Sequence, residues 1–147
     1  MANVRNCLLP EDLFYNVDTN VWVRREADGT IIVGMTSYAC SLAGEMVAYL
    51  PKKVGVEVER NKSLASIESG KWVGSIKAPV SGVIIAINDA AAVRPAIINA
   101  DPYGKGWAVK MRPADWDTEA AGLISGAEAR VAFEARMKAD GFAGCDQ

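Results

Sequence analysis

Short runs of alternating apolar and polar residues fill the first three quarters of the chain, and glycine, proline and Asp-Gly or Ser-Gly pairs separate them. Val21 to Glu26 and Thr30 to Gly34 flank Asp28-Gly29, the strongest short-range hairpin signal present. Met46 to Pro51 reads as a strand ended by proline. Val54, Val56 and Val58 alternate with Gly55, Glu57 and Glu59, which predicts a strand over Val54 to Asn61 with one buried face. Lys62 to Ile67 and Trp72 to Ala78 predict a second hairpin around Ser69-Gly70, with Gly70 free to take a positive φ and Lys71 at or beside the tip. A turn at Ala78 to Gly82, an apolar strand at Val83 to Ile87 and a final strand at Trp107 to Pro113 complete the β pattern.

The period changes in a few places. Thr36 can cap a helix of about two turns that Gly44 ends. Ala90 to Val93 reads as one helical turn stopped by Arg94-Pro95, and Pro10 with Glu11-Asp12 starts a possible short turn of helix in the mixed stretch 1–19. From Asp117 to Asp140 the spacing of Leu123, Ile124, Val131 and Phe133 is helical, with a break near Gly126 and a second helix over Ala127 to Lys138. The tail Gly141 to Gln147 reads as mobile. The expectation is a mainly β fold with a short internal helix and a C-terminal helical extension. It forms one domain over 1–147, with its core at about 20–113 and the helices at about 117–140. Valine- or isoleucine-rich strands follow Gly55 and Gly82, 16 residues before and 11 after Lys71, which hints at a pseudo-twofold barrel sandwich.

Composition narrows the chemistry. The 147 residues carry a net charge of −2 with scattered basic positions, which argues against nucleic acid as the main partner. The complete absence of histidine removes Ser-His-Asp and Cys-His catalysis and the commonest metal ligand. Cys7, Cys40 and Cys145 are odd in number and far apart, with no CxxC pair, so the reading is no disulfide framework and a reducing cytoplasm. Cys7 reads as an incidental or buried thiol and Cys40 as core packing rather than chemistry. Met1 to Arg5 opens no apolar run of signal-peptide length, and no window approaches a membrane span. Gly104-Lys105-Gly106 lacks the rest of a phosphate loop, Glu57 and Glu59 read as a solvated strand face, and no acid–base pair or metal site is expected.

Lys71 is the one position that invites a chemical role. A tight turn fixes the root of its side chain, and the long stem lets the amine travel, which suits a covalently attached swinging group. Spacing alone favours the plainer reading, a surface lysine that keeps the tip in water.

Longer strings carry a resemblance. Val33 to Pro51, Val54 to Lys71, Ala78 to Asn88 and Ile98 to Trp107, together with the tetrapeptide ESGK, resemble the H protein of the glycine cleavage system, a lipoyl carrier of the lipoyl/biotinyl-attachment superfamily. The resemblance covers roughly residues 8 to 115. It implies a lipoyl-like barrel-sandwich hybrid, no catalytic residue, and lipoate attached as an amide to Lys71. It gives Glu68 and Gly82 a role in recognition by the lipoate-attaching enzyme, and it places Gly70 and Trp72 beside the cofactor. Trp72 then either offers the arm a flat apolar surface or simply packs over the hairpin. ESGKWVG looks more like the lipoate-binding proteins of the heterodisulfide-reductase-like sulfur-oxidation pathway, H-protein relatives, so that complex is the implied partner. The alternative is a glycine-cleavage H protein that serves glycine decarboxylase, aminomethyltransferase and dihydrolipoamide dehydrogenase. A third class is a binding module that is never lipoylated.

Overall fold

The computed structural model describes residues 2–145. In chain order the strands and helices are β1 (Ala2–Val4), β2 (Cys7–Leu9), β3 (Phe14–Asn16), β4 (Val21–Arg25), β5 (Ile31–Met35), α1 (Ser37–Ala43), β6 (Met46–Pro51), β7 (Glu57–Val58), β8 (Ser63–Ser69), β9 (Val73–Lys77), β10 (Gly82–Ile87), α2 (Asp89–Val93), α3 (Ile97–Ala100), β11 (Val109–Pro113), α4 (Trp116–Glu119), β12 (Ile124–Ser125) and α5 (Gly126–Ala139). A seven-stranded sheet runs β12-β3-β4-β5-β11-β10-β7, a three-stranded sheet runs β6-β8-β9, and β1 pairs with β2. This is the mainly β architecture with helical additions that the periodicity implies.

Two buried clusters hold it together. In the larger, Val33, Ile84 and Met111 of the seven-stranded sheet meet Leu64, Ile67 and Ile76 of the three-stranded sheet. Removing such side chains from water is the main driving force for closing one sheet over the other. In the smaller, Tyr15, Trp22 and Tyr38 gather around Phe133 of α5, with Tyr15 and Phe133 in edge contact at 5.6 Å between ring centres. Burying these large rings fixes α5 on the strands.

The local chemistry explains the well-placed elements. Asp28 Oδ1 accepts from the Thr30 backbone N–H, and Gly29 takes φ +87°, so β4 turns into β5. Thr36 caps α1 by accepting from the Ala39 N–H, and Gly44 ends it at φ +85°. β6 occupies Met46–Pro51, as its alternation predicts.

Five expectations need correction. The strand over Val54 to Asn61 shrinks to Glu57–Val58, which pair with Val83 and Gly82; of the three alternating valines only Val58 is buried, and Val54 stands 57% exposed. No helical turn follows Pro10; strands β1, β2 and β3 occupy that region instead. In the C-terminal extension β12 interrupts the helical pattern, and Val131 is exposed while Ala129, Phe133 and Met137 are buried. The tail is fastened through residue 145: the Cys145 N–H donates to the Arg5 carbonyl, and the Phe142 N–H donates to the Met137 carbonyl at 2.9 Å; residues 146 and 147 lie outside the described part. Finally, Cys7 and Cys145 form a disulfide across a sequence separation of 138, and only Cys40 is free. An odd count excludes complete pairing, not a single pair.

Candidate functional site

The lysine hairpin is pinned where it turns. The Ser69 N–H donates to the Trp72 carbonyl at 2.8 Å, which leaves Gly70 and Lys71 as the tip. Ser69 itself is buried; its hydroxyl donates to the Ala43 carbonyl at the end of α1 and accepts from the Lys71 N–H at 3.3 Å. The end of α1 is held in turn. The Gly44 N–H reaches the Cys40 carbonyl at 3.0 Å, and the Gly44 carbonyl accepts from Asn99 Nδ2 at 2.7 Å. Asn99 Oδ1 also accepts from the Met46 N–H at 2.8 Å. The tip, the α1 terminus, β6 and α3 thus form one hydrogen-bonded block, and buried polar groups satisfied in this way resist displacement.

Successive side chains leave the block in different directions. Lys71 is exposed, and its stem lies over Gly44, where a Cβ would sit 3.2 Å from Lys71 Cε. Gly44 lies in a backbone region that is essentially glycine-only. The result is a shallow cradle for an aliphatic stem that any side chain at position 44 would fill. Trp72 folds instead over Gly74, where a Cβ would meet the indole at 2.2 Å. So Trp72 does pack over its own hairpin, yet it remains 37% exposed and lines a recess.

Two hollows flank the tip. On the Trp72 side, a recess of about 160 Å³ is lined by Val21, Met35, Leu42, Trp72 and Ile76, with Asp18 exposed and Thr19, Asn20 and Ser75 as its other polar members. Thr19 Oγ1 is buried there without a hydrogen-bond partner among the described residues. On the Gly44 side, an open groove of about 1050 Å³ runs past Gly44, Ser41, Cys40 and Ser37 to Cys145, with Asn99 to Gly104 along part of its wall. Burial pushes the Cys40 thiol up to about 12 and the Tyr103 phenol up to about 12, so neither acts as an acid or base near neutral pH.

The remaining positions singled out from the sequence fall into different surroundings. Glu68 is exposed on β8, opposite Ala48 and Val73. Gly70 does not take a positive φ, and a Cβ there would meet open space, so the turn forms without needing glycine. Gly82 begins β10 in the other sheet; a Cβ there would sit 2.4 Å from the Arg112 carbonyl oxygen, so the close strand approach accounts for it. Four contributors were not assigned to the site: Ser69, Gly44, Asn99 and Cys145. Gly44 was legible only as the end of α1, and Ser69 had a signal, because the alternation Ile67-Glu68-Ser69 points a polar residue inward at a strand end.

Comparison with known proteins adds to this geometry. The family described as "Glycine cleavage H-protein" matches residues 13–136. The chain is 49% identical over 118 residues to "Glycine cleavage system H protein 5" of Aquifex aeolicus, covering 78% of this chain and 80% of that protein. It is 48% identical over 114 residues to "Probable glycine cleavage system H protein 2" of Sulfurisphaera tokodaii, covering 76% and 77%. A crystal structure of a glycine cleavage system H protein from Mycobacterium marinum superposes with a TM-score of 0.72 at 30% identity, covering 91% of this chain and all of that one.

Proposed function

The chain belongs to the glycine cleavage H-protein family, non-catalytic carriers that hold lipoate covalently on a lysine, and from that premise we propose that Lys71 is the attachment site here. The observation that carries this reading is an exposed amine at a pinned two-residue tip, its stem laid in the Gly44 cradle. The residues suit the group: the amine is free to be acylated, and the hollows on either side can receive an apolar arm. When bound, lipoate supplies a disulfide that opens to two thiols. The chain supplies position. Ser69 and Asn99 fix the root of the side chain, so motion is confined to the stem and whatever it bears, and a tethered group searches a small volume at high effective concentration. Glu68 and Gly82 serve the lipoate-attaching enzyme in this reading, and Gly70 leaves the tip open to it.

The names of the relatives favour glycine cleavage; on that reading the partners are glycine decarboxylase, aminomethyltransferase and dihydrolipoamide dehydrogenase, and the setting is the cytoplasm. One observation favours a second reading, a sulfur-borne load passed to a heterodisulfide-reductase-like complex. The recess beside Trp72 is mainly apolar, and its one carboxylate, Asp18, is exposed. An aminomethyl nitrogen is cationic near neutral pH and is costly to bury without a close carboxylate, whereas sulfur is soft and polarizable. Intact mass of the chain after treatment with a lipoate-attaching enzyme tests the site: the lipoyl mass must map to Lys71 and vanish in Lys71→Arg. Loading with glycine and glycine decarboxylase then separates the two readings. An aminomethyl adduct supports glycine cleavage; a lipoylated chain that takes no adduct supports the sulfur load. Trp72→Ala with unchanged turnover by the partner enzymes would remove any role of the indole toward the arm.

A further inference from the structure

Cys145, one half of the Cys7–Cys145 disulfide, lines the same open groove as Gly44, against which the Lys71 stem lies. Gly44, which touches the Lys71 stem, lines that groove, and so do Ser41, Ser37 and Cys145. Cys145 Sγ lies 3.8 Å from the Ser37 carbonyl at the start of α1, and Gly44 lies just past its end. At 1.5 Å per residue, the seven-residue step from Gly44 back to Ser37 is about 10 Å. From Lys71 Cε to the nearer sulfur of an attached lipoyl group is about eight bonds, and each advances about 1.25 Å when extended, giving ~10 Å. The length of the arm therefore matches the length of the groove. Ser37, Ser41 and Gly44 are small, so the track is not obstructed from the helix side. Cys145 is partly exposed at the groove, whereas Cys7 is buried and Cys40 is a buried thiol in the wall.

We propose that the Cys7–Cys145 disulfide is an on-chain redox partner of the dithiol arm carried by Lys71. This rests on Lys71 being the lipoyl site. One thiolate of the reduced arm attacks Cys145 Sγ, the S–S bond to Cys7 breaks, and Cys7 leaves as a thiolate that takes a proton. The second arm thiol then displaces Cys145. The cyclic disulfide of the arm forms, two electrons and two protons pass to Cys7 and Cys145, and no further reagent is consumed. Reduction releases the covalent link between the tail and β2. The Arg5–Glu134 contact at 2.8 Å and the buried face of α5 remain and keep the helix docked, and the tail is then held by the Cys145 N–H to Arg5 carbonyl bond and its neighbours alone. The oxidation state of the arm is thereby coupled to the strap beside its own groove.

The test uses the full chain, lipoylated enzymatically. Intact mass and peptide mapping come first, and absence of the lipoyl mass at Lys71 overturns the carrier reading and this proposal with it. With lipoylation established, Cys7→Ser leaves Cys145 as a free thiol at the groove, which is loaded as a mixed disulfide with glutathione. The reduced arm should then release glutathione from Cys145, the second arm thiol closing the ring, at a first-order rate unchanged over a hundredfold dilution. No release, or a rate that falls with dilution, overturns the proposal and leaves lipoylation standing. Should the variant not fold, the wild-type chain serves. The arm is kept reduced by dihydrolipoamide dehydrogenase and NADH, and alkylation of Cys7 and Cys145 is followed by mass. The control is the unlipoylated chain with free lipoamide at the same concentration of about 10 µM, where a tether at millimolar effective concentration gives about 100-fold faster reduction. Equal rates overturn the proposal.

Discussion

Gly44→Ala and Gly70→Ala make a matched pair of substitutions on either side of Lys71 with opposite expected outcomes. Gly44 sits at φ +85° and ψ −175°, a region that side-chain-bearing residues enter at a cost of about 1–3 kcal/mol. The backbone cannot relax away from it, because its N–H is bonded to Cys40 and its carbonyl to Asn99. An added Cβ also reaches 3.2 Å from Lys71 Cε, so the stem must shift. The full strain therefore appears as lost stability, about 1–3 kcal/mol, or ~3–10 °C in Tm for a chain of this size. Gly70 has no positive φ and open space at its Cβ, so alanine there restricts only the unfolded chain and raises stability by about 0.4–1 kcal/mol. Urea unfolding of both variants with the disulfide intact, followed by lipoate-attachment rates at Lys71, checks the pair. A Gly44→Ala chain within about 0.5 kcal/mol of wild type would mean that the α1 terminus is not held as described, and the cradle argument would fail.

The other predictions concern groups around this block. Thr19→Val removes a buried hydroxyl that has no partner among the described residues, so stability should rise by about 1 kcal/mol; a loss of that size in urea unfolding would reveal a hydrogen bond made by Oγ1. Cys40, pushed up to about 12 by burial, should resist iodoacetamide in the native chain at pH 8 and react fully in urea; native labelling on the same timescale contradicts its placement. Cys145→Ser opens a loop with a sequence separation of 138, for which chain entropy gives up to ~5 kcal/mol of destabilisation; an unchanged urea midpoint would place the tail's stability in α5 alone. The Tyr38 hydroxyl, and then Arg136, hold the Asp140 carboxyl below its ordinary value. A depressed folded value means that its contribution is present above the unfolded value and disappears as pH falls through the folded one. The Tm of wild type and Asp140→Asn should therefore converge as the solution is acidified below the ordinary aspartate range, and parallel curves would refute the pairing.

What could be read along the chain and what could not divides by the range of the interaction. Asp28-Gly29, Thr36 with Gly44, and the alternation of Met46–Pro51 act within a few residues, and β4, β5, α1 and β6 follow them. Strands of two or three residues such as β1, β2 and β12 are too short to show a period; β1 and β2 pair locally with each other, whereas β12 exists because β3, distant in sequence, pairs with it. Val54 and Val56 carry a strand pattern, but the backbone there makes only two hydrogen bonds to Ile84 of β10 and both side chains stay exposed, so the pattern misled. The lysine turn was legible from its flanking alternation, but its glycine was not the reason it turns. The pinning of that turn was hidden, since Ser69 finds Ala43, and Asn99 finds Gly44 and Met46, only after the two sheets close. The same holds for Cys7 and Cys145, which an odd count concealed.

The end of α1 decides how the tip can work. Lys71 and Trp72 are neighbours in sequence, yet the first lies against Gly44 at the head of the long groove and the second covers Gly74 beside the small recess. Leu42, exposed on α1, lines the recess of about 160 Å³ beside Trp72, while Gly44 lines the groove of about 1050 Å³. A carrier built this way has two resting places of different chemistry. One is apolar and ends at the indole; the other ends at a disulfide. Both are reached by rotation about bonds beyond a root that Ser69 keeps fixed. On the proposed reading, residence in the first would shelter a load and residence in the second would exchange electrons. Loosening the root, as in Ser69→Ala, would blur that choice by leaving the buried Ala43 carbonyl unpaired and freeing the turn.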